Sequence, residues 1–253
     1  MSASTHDRRR AVLYIVLPFL LCTLLFGVAA YLTGVFMMRE RAMSVGAISP
    51  GDGEVHPIRC VVIDAGHGGE DGGTSSAAGL VEKDVNLSVA FALRDLLEAA
   101  GVPCVMTRTE DKLLYDRSIN FQGRKKVLDL AARKTVADST EDCLLVSIHM
   151  NAFPDVRYSG MQVWYGTEDG RSEGIAASIQ ASSLSLLPDN RRKIKEAGSN
   201  IYLLDRATCP AVLVECGFLS NPAEAERLSD EEYRYLVATV IMGGILPHIA
   251  PLG

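Results

Sequence analysis

Three short apolar runs, each delivering an ionisable residue, constrain this chain more than any other feature. "CVVIDAGHGG" at 60–69 stops at His67 between glycines, "CLLVSIHMN" at 143–151 reaches His149, and "AVLVECGF" at 211–218 reaches Glu215. Their apolar residues are consecutive rather than alternating. Strands buried on both faces read this way, and they belong mainly to parallel sheets covered by helices. The intervening segments have helical spacing. Val85, Val89, Leu93, Leu96 and Leu97 form one apolar face, and Gly101 with Pro103 ends that helix. Residues 116–136 predict a helix with basic residues on its outer face, and a further helix is predicted near 172–186. "SNPAEAERL" opens another, with Asn221 as cap and Pro222 in the first turn, and the last starts at Asp230. "VPCVMTR", "MQVWYG" and "IYLL" read as additional strands. The expected fold class is α/β: a single mixed, mostly parallel sheet flanked by helices.

Residues 11–38 carry no charge. At about 1.5 Å per residue they exceed a hydrocarbon core of ~30 Å, so an N-terminal transmembrane helix is expected there. Arg8, Arg9 and Arg10 precede it, whereas Arg39 and Arg41 follow it offset by Glu40. That asymmetry predicts a cytoplasmic tail over 1–10 and an extracytoplasmic remainder. The alternative is a cleaved signal peptide, with "GVAA" as a tempting cleavage region. Residues 39–57 read as a linker and 58–253 as the folded domain. Without residues 1–41, 20 basic and 29 acidic residues remain, a net charge of −9. An acidic exported domain argues against a nucleic-acid partner. The six cysteines, at 22, 60, 104, 143, 209 and 216, form no CxxC motif. They read as mostly buried thiols, and any disulfide outside the membrane cannot be paired from sequence.

In open α/β sheets functional groups gather beyond the carboxyl ends of the strands. His67, His149 and Glu215 can therefore converge despite their separation. Glu82 in "GLVEKDVNLS" is a fourth candidate, placed just before the first helix with Asp84 as its expected cap. Two histidines and a carboxylate are a common catalytic zinc set that leaves a fourth coordination position open. Gly66, Gly68 and Gly69 permit a sharp turn that aims the imidazole, and Asp64 is a candidate to orient His67. Singly, each residue has an ordinary explanation: a loop histidine, a hydrogen-bonded core histidine, a first-turn acid. Glu215 is less ordinary, because an acid ending an apolar strand is costly to bury unpaired. The glycine-rich loop lacks the GxxxxGK[ST] pattern of a phosphate loop.

"VVIDAGHGGEDGG", "EKDVNLSVA", "SIHMNA" and "VLVECGFLSNPAE", in that order, resemble the zinc-dependent N-acetylmuramoyl-L-alanine amidases of the type 3 family. "SIHMNAFPD", "GMQVWYG" and "DRSINFQGRKKVLDLA", with the N-terminal apolar segment, are most similar to its CwlD type, from the endospore cortex. The resemblance runs from about 59 to 249. It implies Zn2+ on His67, Glu82 and His149, Glu215 as the catalytic glutamate, and Asn151 in support. It further implies hydrolysis of the amide between the muramic acid lactyl group and L-alanine of peptidoglycan, serving muramic-δ-lactam formation and germination. No wall-binding repeats are visible, so targeting falls to the anchor or to an accessory protein. Two other readings remain open: a zinc peptidase cutting the stem peptide, and an anchored, non-catalytic wall-binding protein.

Overall fold

The computed structural model describes residues 56–116, 118 and 123–251. The expected anchor at 11–38 and the linker up to residue 55 lie outside the described residues. No helix among the described residues is long and apolar enough to cross a membrane. In chain order the elements are β1 (Cys60–Ala65), α1 (Glu82–Ala99), β2 (Cys104–Met106), α2 (Lys125–Asp138), β3 (Cys143–Asn151) and β4 (Gln162–Tyr165). There follow α3 (Arg171–Ser182), β5 (Lys195–Glu196), α4 (Tyr202–Arg206), β6 (Ala211–Phe218), α5 (Pro222–Ser229) and α6 (Glu231–Ile245).

The sheet order is β2-β1-β3-β6-β4-β5. The three apolar runs form its centre, with β1 and β6 both parallel to β3. Four strands run one way, while β4 is antiparallel to β6 and carries β5 parallel to itself at the edge. The sheet is thus mixed and mostly parallel, as the sequence predicts.

Because side chains alternate across a strand, the two faces have separate contents. Val61, Ile63, Val146, Ile148, Val212 and Val214 join α1, α3 and α6 side chains in the larger core. Each fully buried aliphatic side chain contributes about 1.5–3 kcal/mol, so this face carries most of the apolar stabilisation. Val62, Leu145 and Leu213 point the other way, to a smaller core with Ala137 of α2 and Leu203 and Leu204 of α4. Continuing in steps of two along this second face leads to Asp64, to Ser147 and His149, and to Glu215. The site therefore grows from the face with less apolar cover.

Four expectations change. Helix α1 begins at Glu82, not at an Asp84 cap, and Val81 caps it without a side-chain bond. Its first free N–H groups find acceptors in the preceding loop: Glu82 N donates to Thr74 O (2.9 Å) and Lys83 N to Gly72 O (3.2 Å). "IYLL" becomes part of helix α4 rather than a strand, and buries the adjacent residues Leu203 and Leu204. A four-residue apolar run has too little periodicity to separate the two states. Helix α2 starts at Lys125, with 117 and 119–122 outside the described residues. Its basic residues are not all outward, since Arg133 is 1% exposed. Strand β5, two exposed charged residues, carries no apolar signal; charge of this kind protects a sheet edge. Asn221 caps α5 as expected, accepting from Glu224 N, with Pro222 at the first turn.

Candidate metal centre

His67 sits on the turn after β1 with φ of 60°, an uncommon conformation for a residue with a Cβ, and Gly68 and Gly69 continue it with φ of 141° and 57°. Two buried arginines hold this turn by its carbonyls. Arg133 Nη2 donates to His67 O (2.6 Å), and its Nη1 to Ala65 O (2.7 Å) and to Asp64 Oδ1 (2.7 Å). Arg108 Nε donates to Ala65 O (2.8 Å), and its Nη2 to Gly66 O (3.1 Å) and to Lys83 O at the start of α1 (2.7 Å). Asp64 also accepts from Thr107 Oγ1 (2.7 Å) and Ser147 Oγ (2.6 Å), and Asp129 accepts from Arg133 Nε (2.7 Å). Burial alone would raise the Asp64 carboxyl. Arg133 and the two hydroxyls outweigh it and hold the group below its ordinary 3.8.

Glu82 enters from the first turn of α1. Its Oε2 accepts from Thr74 N (2.8 Å) and its Oε1 from Met150 N (3.1 Å). Oε1 also lies 3.0 Å from His149 Nδ1 and 3.2 Å from His67 Nε2. Against the cost of burial, the two imidazoles hold Glu82 far below the usual carboxylate range, so it is an anion. Candidate ligand atoms of His67, Glu82 and His149 all lie within 4.8 Å of one another. A tetrahedral zinc with bonds of ~2.0–2.1 Å has ligands about 3.3 Å apart. The observed 3.0 and 3.2 Å fit that spacing, and the set of two imidazoles and one ionised carboxylate fits the ion.

Two glycines make the packing possible. A Cβ on Gly66 would overlap the His149 ring, and one on Gly73 would overlap Glu82 Oε2 and approach His67 Cδ2 to 2.8 Å. Beyond the cluster, His149 and Glu215 are partners in the β3–β6 ladder. Glu215 Oε2 is buried without a hydrogen-bond partner. Burial pushes this carboxyl up to about 7; Glu82 adds to the rise, and the imidazoles of His149 and His67 oppose it. A cavity of about 70 Å³ beside the cluster is lined by Gly66, His67, Asp71 and His149 among others.

The structure thus brings together His67, Glu82 and His149, with Glu215 alongside. Asp64 does not touch the His67 ring; it reaches that residue's backbone through Arg133. Asn151 turns its side-chain oxygen to Ala152 N (2.8 Å), two residues past His149 at the end of β3. The sequence reading missed Asp71, whose Oδ1 is 2.9 Å from His67 Nδ1, though not along the line of a straight hydrogen bond. It also missed Arg108 and Arg133. A signal for Arg108 existed: "VPCVMTR" is another strand ending on a polar pair, Thr107-Arg108.

Residues 61–247 match the family model described as N-acetylmuramoyl-L-alanine amidase. The chain belongs to the Amidase_3 family. It is 38% identical over 195 residues to the germination-specific N-acetylmuramoyl-L-alanine amidase of Bacillus subtilis, covering 77% of this chain and 81% of that protein. It resembles the structure of the CwlD amidase from Clostridioides difficile in complex with the GerS lipoprotein, with a TM-score of 0.71 and 34% identity over 75% of this chain and 98% of that one. The catalytic domain of CwlV from Bacillus (Paenibacillus) polymyxa var. colistinus gives 0.63 and 29%, over 74% and 96%. This Amidase_3 enzyme is therefore an N-acetylmuramoyl-L-alanine amidase acting on peptidoglycan outside the cytoplasm, with its His-Glu-His cluster positioned as a metal site.

Proposed function

We propose that this amidase uses zinc held by His67, Glu82 and His149 to cleave the bond between the muramic acid lactyl group and L-alanine, with Glu215 as its proton-transfer residue. The observation that carries the reading is Glu215 Oε2, buried and lacking a partner, beside three clustered ligand groups. When bound, zinc supplies a Lewis acid that polarises the scissile carbonyl. Glu215 takes a proton from the attacking water and delivers it to the departing L-alanine amine. A carboxyl raised toward neutrality is suited to both acts, and a nearby dication would draw it back down. The arginine-held turn keeps the His67 ring aimed while Gly66 leaves room for His149.

The likeness to a germination-specific amidase and to CwlD supports a role in spore cortex maturation, through muramic-δ-lactam formation, and in germination. The CwlD relative was solved with a lipoprotein, which supports an accessory protein here as well. Residues 11–38 would anchor the enzyme with the domain of residues 58–253 outside. The test is to digest purified peptidoglycan and identify the products. Release of stem peptides beginning with L-alanine, lost with a chelator and restored by zinc, is expected. Cleavage within the stem peptide would identify a peptidase instead. Intact substrate under all metal conditions would favour a wall-binding protein.

A further inference from the structure

Three cysteines line up across the amino ends of the central strands, at the opposite end of the sheet from the metal centre. Cys60 and Cys143 are partners in the β1–β3 ladder. Leu145 pairs with Ala211, and Leu145 N donates to Pro210 O (2.9 Å). Cys143 lies two residues before Leu145 on β3 and Cys209 two residues before Ala211, in the bend that leads into β6, and both side chains enter the same face. Both contribute to the smaller core, and both line a hollow of about 550 Å³. Cys143 is buried and Cys209 is partly open to solvent.

The Leu145 N–Pro210 O bond ties the segment before β6 to the start of β3, and neighbouring strands about 4.8 Å apart fall inside the ~4.4–6.8 Å range of Cα separations that a disulfide bridges. The two candidate pairs differ in freedom. Cys60 and Cys143 both sit within a regular ladder, which fixes their side-chain directions. Cys209 precedes β6, and the Pro210 after it has no N–H to commit to a neighbour. Its backbone can adjust as the sulfurs meet. Extracytoplasmic compartments favour disulfides that the cytosol would reduce.

We propose that Cys143 and Cys209 are a disulfide site, closed by exchange with a small-molecule or protein disulfide after export. The partly exposed Cys209 attacks as the thiolate. It forms a mixed disulfide and releases one thiol of the oxidant. Cys143 then loses its proton and attacks the Cys209 sulfur, releasing the second thiol. Two cysteines lose two electrons and two protons, and the oxidant disulfide becomes two thiols. Cys209 takes the first attack because it is the more accessible of the two, while the Cys143 thiol is buried against Ala137 O (3.5 Å). The bond closes a loop of about 65 residues, long enough to restrict the unfolded chain substantially. It also joins the starts of the two strands that carry His149 and Glu215.

The test equilibrates the full-length protein in detergent with mixtures of reduced and oxidised glutathione, traps free thiols by alkylation, and maps linked peptides by mass spectrometry. One Cys143–Cys209 peptide pair is expected, with free thiols falling from six to four and the thermal midpoint rising by several degrees. Cys209→Ser should lose both the link and the rise, whereas Cys216→Ser should keep the link. Alkylation of both cysteines throughout, separate glutathione adducts on each, or a Cys60–Cys143 link would overturn the proposal. The mapping on the native sequence decides the matter even if a variant fails to fold.

Discussion

At the scale of single residues, the centre depends on a missing atom as much as on the groups present. Gly66 lies against the His149 ring, where any Cβ would collide. Its N–H is already committed to Ile148 O (3.0 Å), so the backbone cannot simply move aside. The imidazole must yield. Gly66→Ala is therefore expected to fold, because the residue lies at the rim of the core, but to lose most of its zinc. Metal analysis beside a circular dichroism spectrum checks this; a folded variant with one full equivalent of zinc would contradict it. Asp71 acts on the neighbouring histidine. Its carboxylate lies beside His67 Nδ1, leaving Nε2 toward Glu82. Asp71→Asn removes the negative charge 2.9 Å from His67 Nδ1 and should weaken zinc binding, by at most about the 10–100-fold that loss of a histidine's outer partner costs. A competition titration with a chromogenic chelator would show unchanged affinity if Asp71 has no such role.

At the scale of elements, β1, β2 and α2 are held together by charge. Asp64, Arg133 and Asp129 are buried in one chain of ion pairs, and Arg108 shares the Ala65 carbonyl with Arg133. Arg133→Met would leave two acids buried without their cation, a loss of about 3–5 kcal/mol. The pH dependence follows from Asp64. Its folded value is below the ordinary 3.8, so its contribution is present above that value and is lost as pH falls through the folded one. Wild type should exceed Asp64→Asn in stability near neutral pH, and the gap should close as pH drops below about 4. Denaturant midpoints from pH 7 to 3 measure this; a constant gap would contradict it. This network was largely illegible in the sequence. Consecutive apolar residues reveal β1, β3 and β6, and the end of each run gives its ionisable residue. Arg133, however, lies among other charges on an amphipathic helix, and composition alone places such a residue outside. Helix α1's true start was hidden for a related reason: its acceptors are loop carbonyls, which no side-chain pattern announces.

At the scale of the whole molecule, the described domain closes on itself. Ile58 bridges to Ile249, and Ala250 N donates to Ile58 O (2.8 Å), so both ends of the fold meet. The described residues belong to one compact unit. A fragment of residues 54–253 should therefore unfold in a single cooperative transition and retain the amidase reaction. An unfolded or aggregated fragment, from a full-length protein that folds in detergent, would contradict this. The family blocks made this architecture legible, because catalytic chemistry is bound to particular residues at particular strand ends. The antiparallel edge was less so: β4 and β5 are short, and strand direction leaves little trace in four or two residues.

The central claim is a division of labour in which His67, Glu82 and His149 hold zinc and Glu215 moves the proton. Zinc content and release of stem peptides, measured on the same samples of wild type and Glu215→Gln, test it most directly. The glutamine keeps the size and hydrogen-bonding capacity of the side chain but removes the base. The variant should hold one zinc, as wild type does, while turnover falls by about 10²–10⁴. Loss of zinc would make Glu215 a ligand and overturn the assignment, and full activity with full zinc would remove its proton-transfer role.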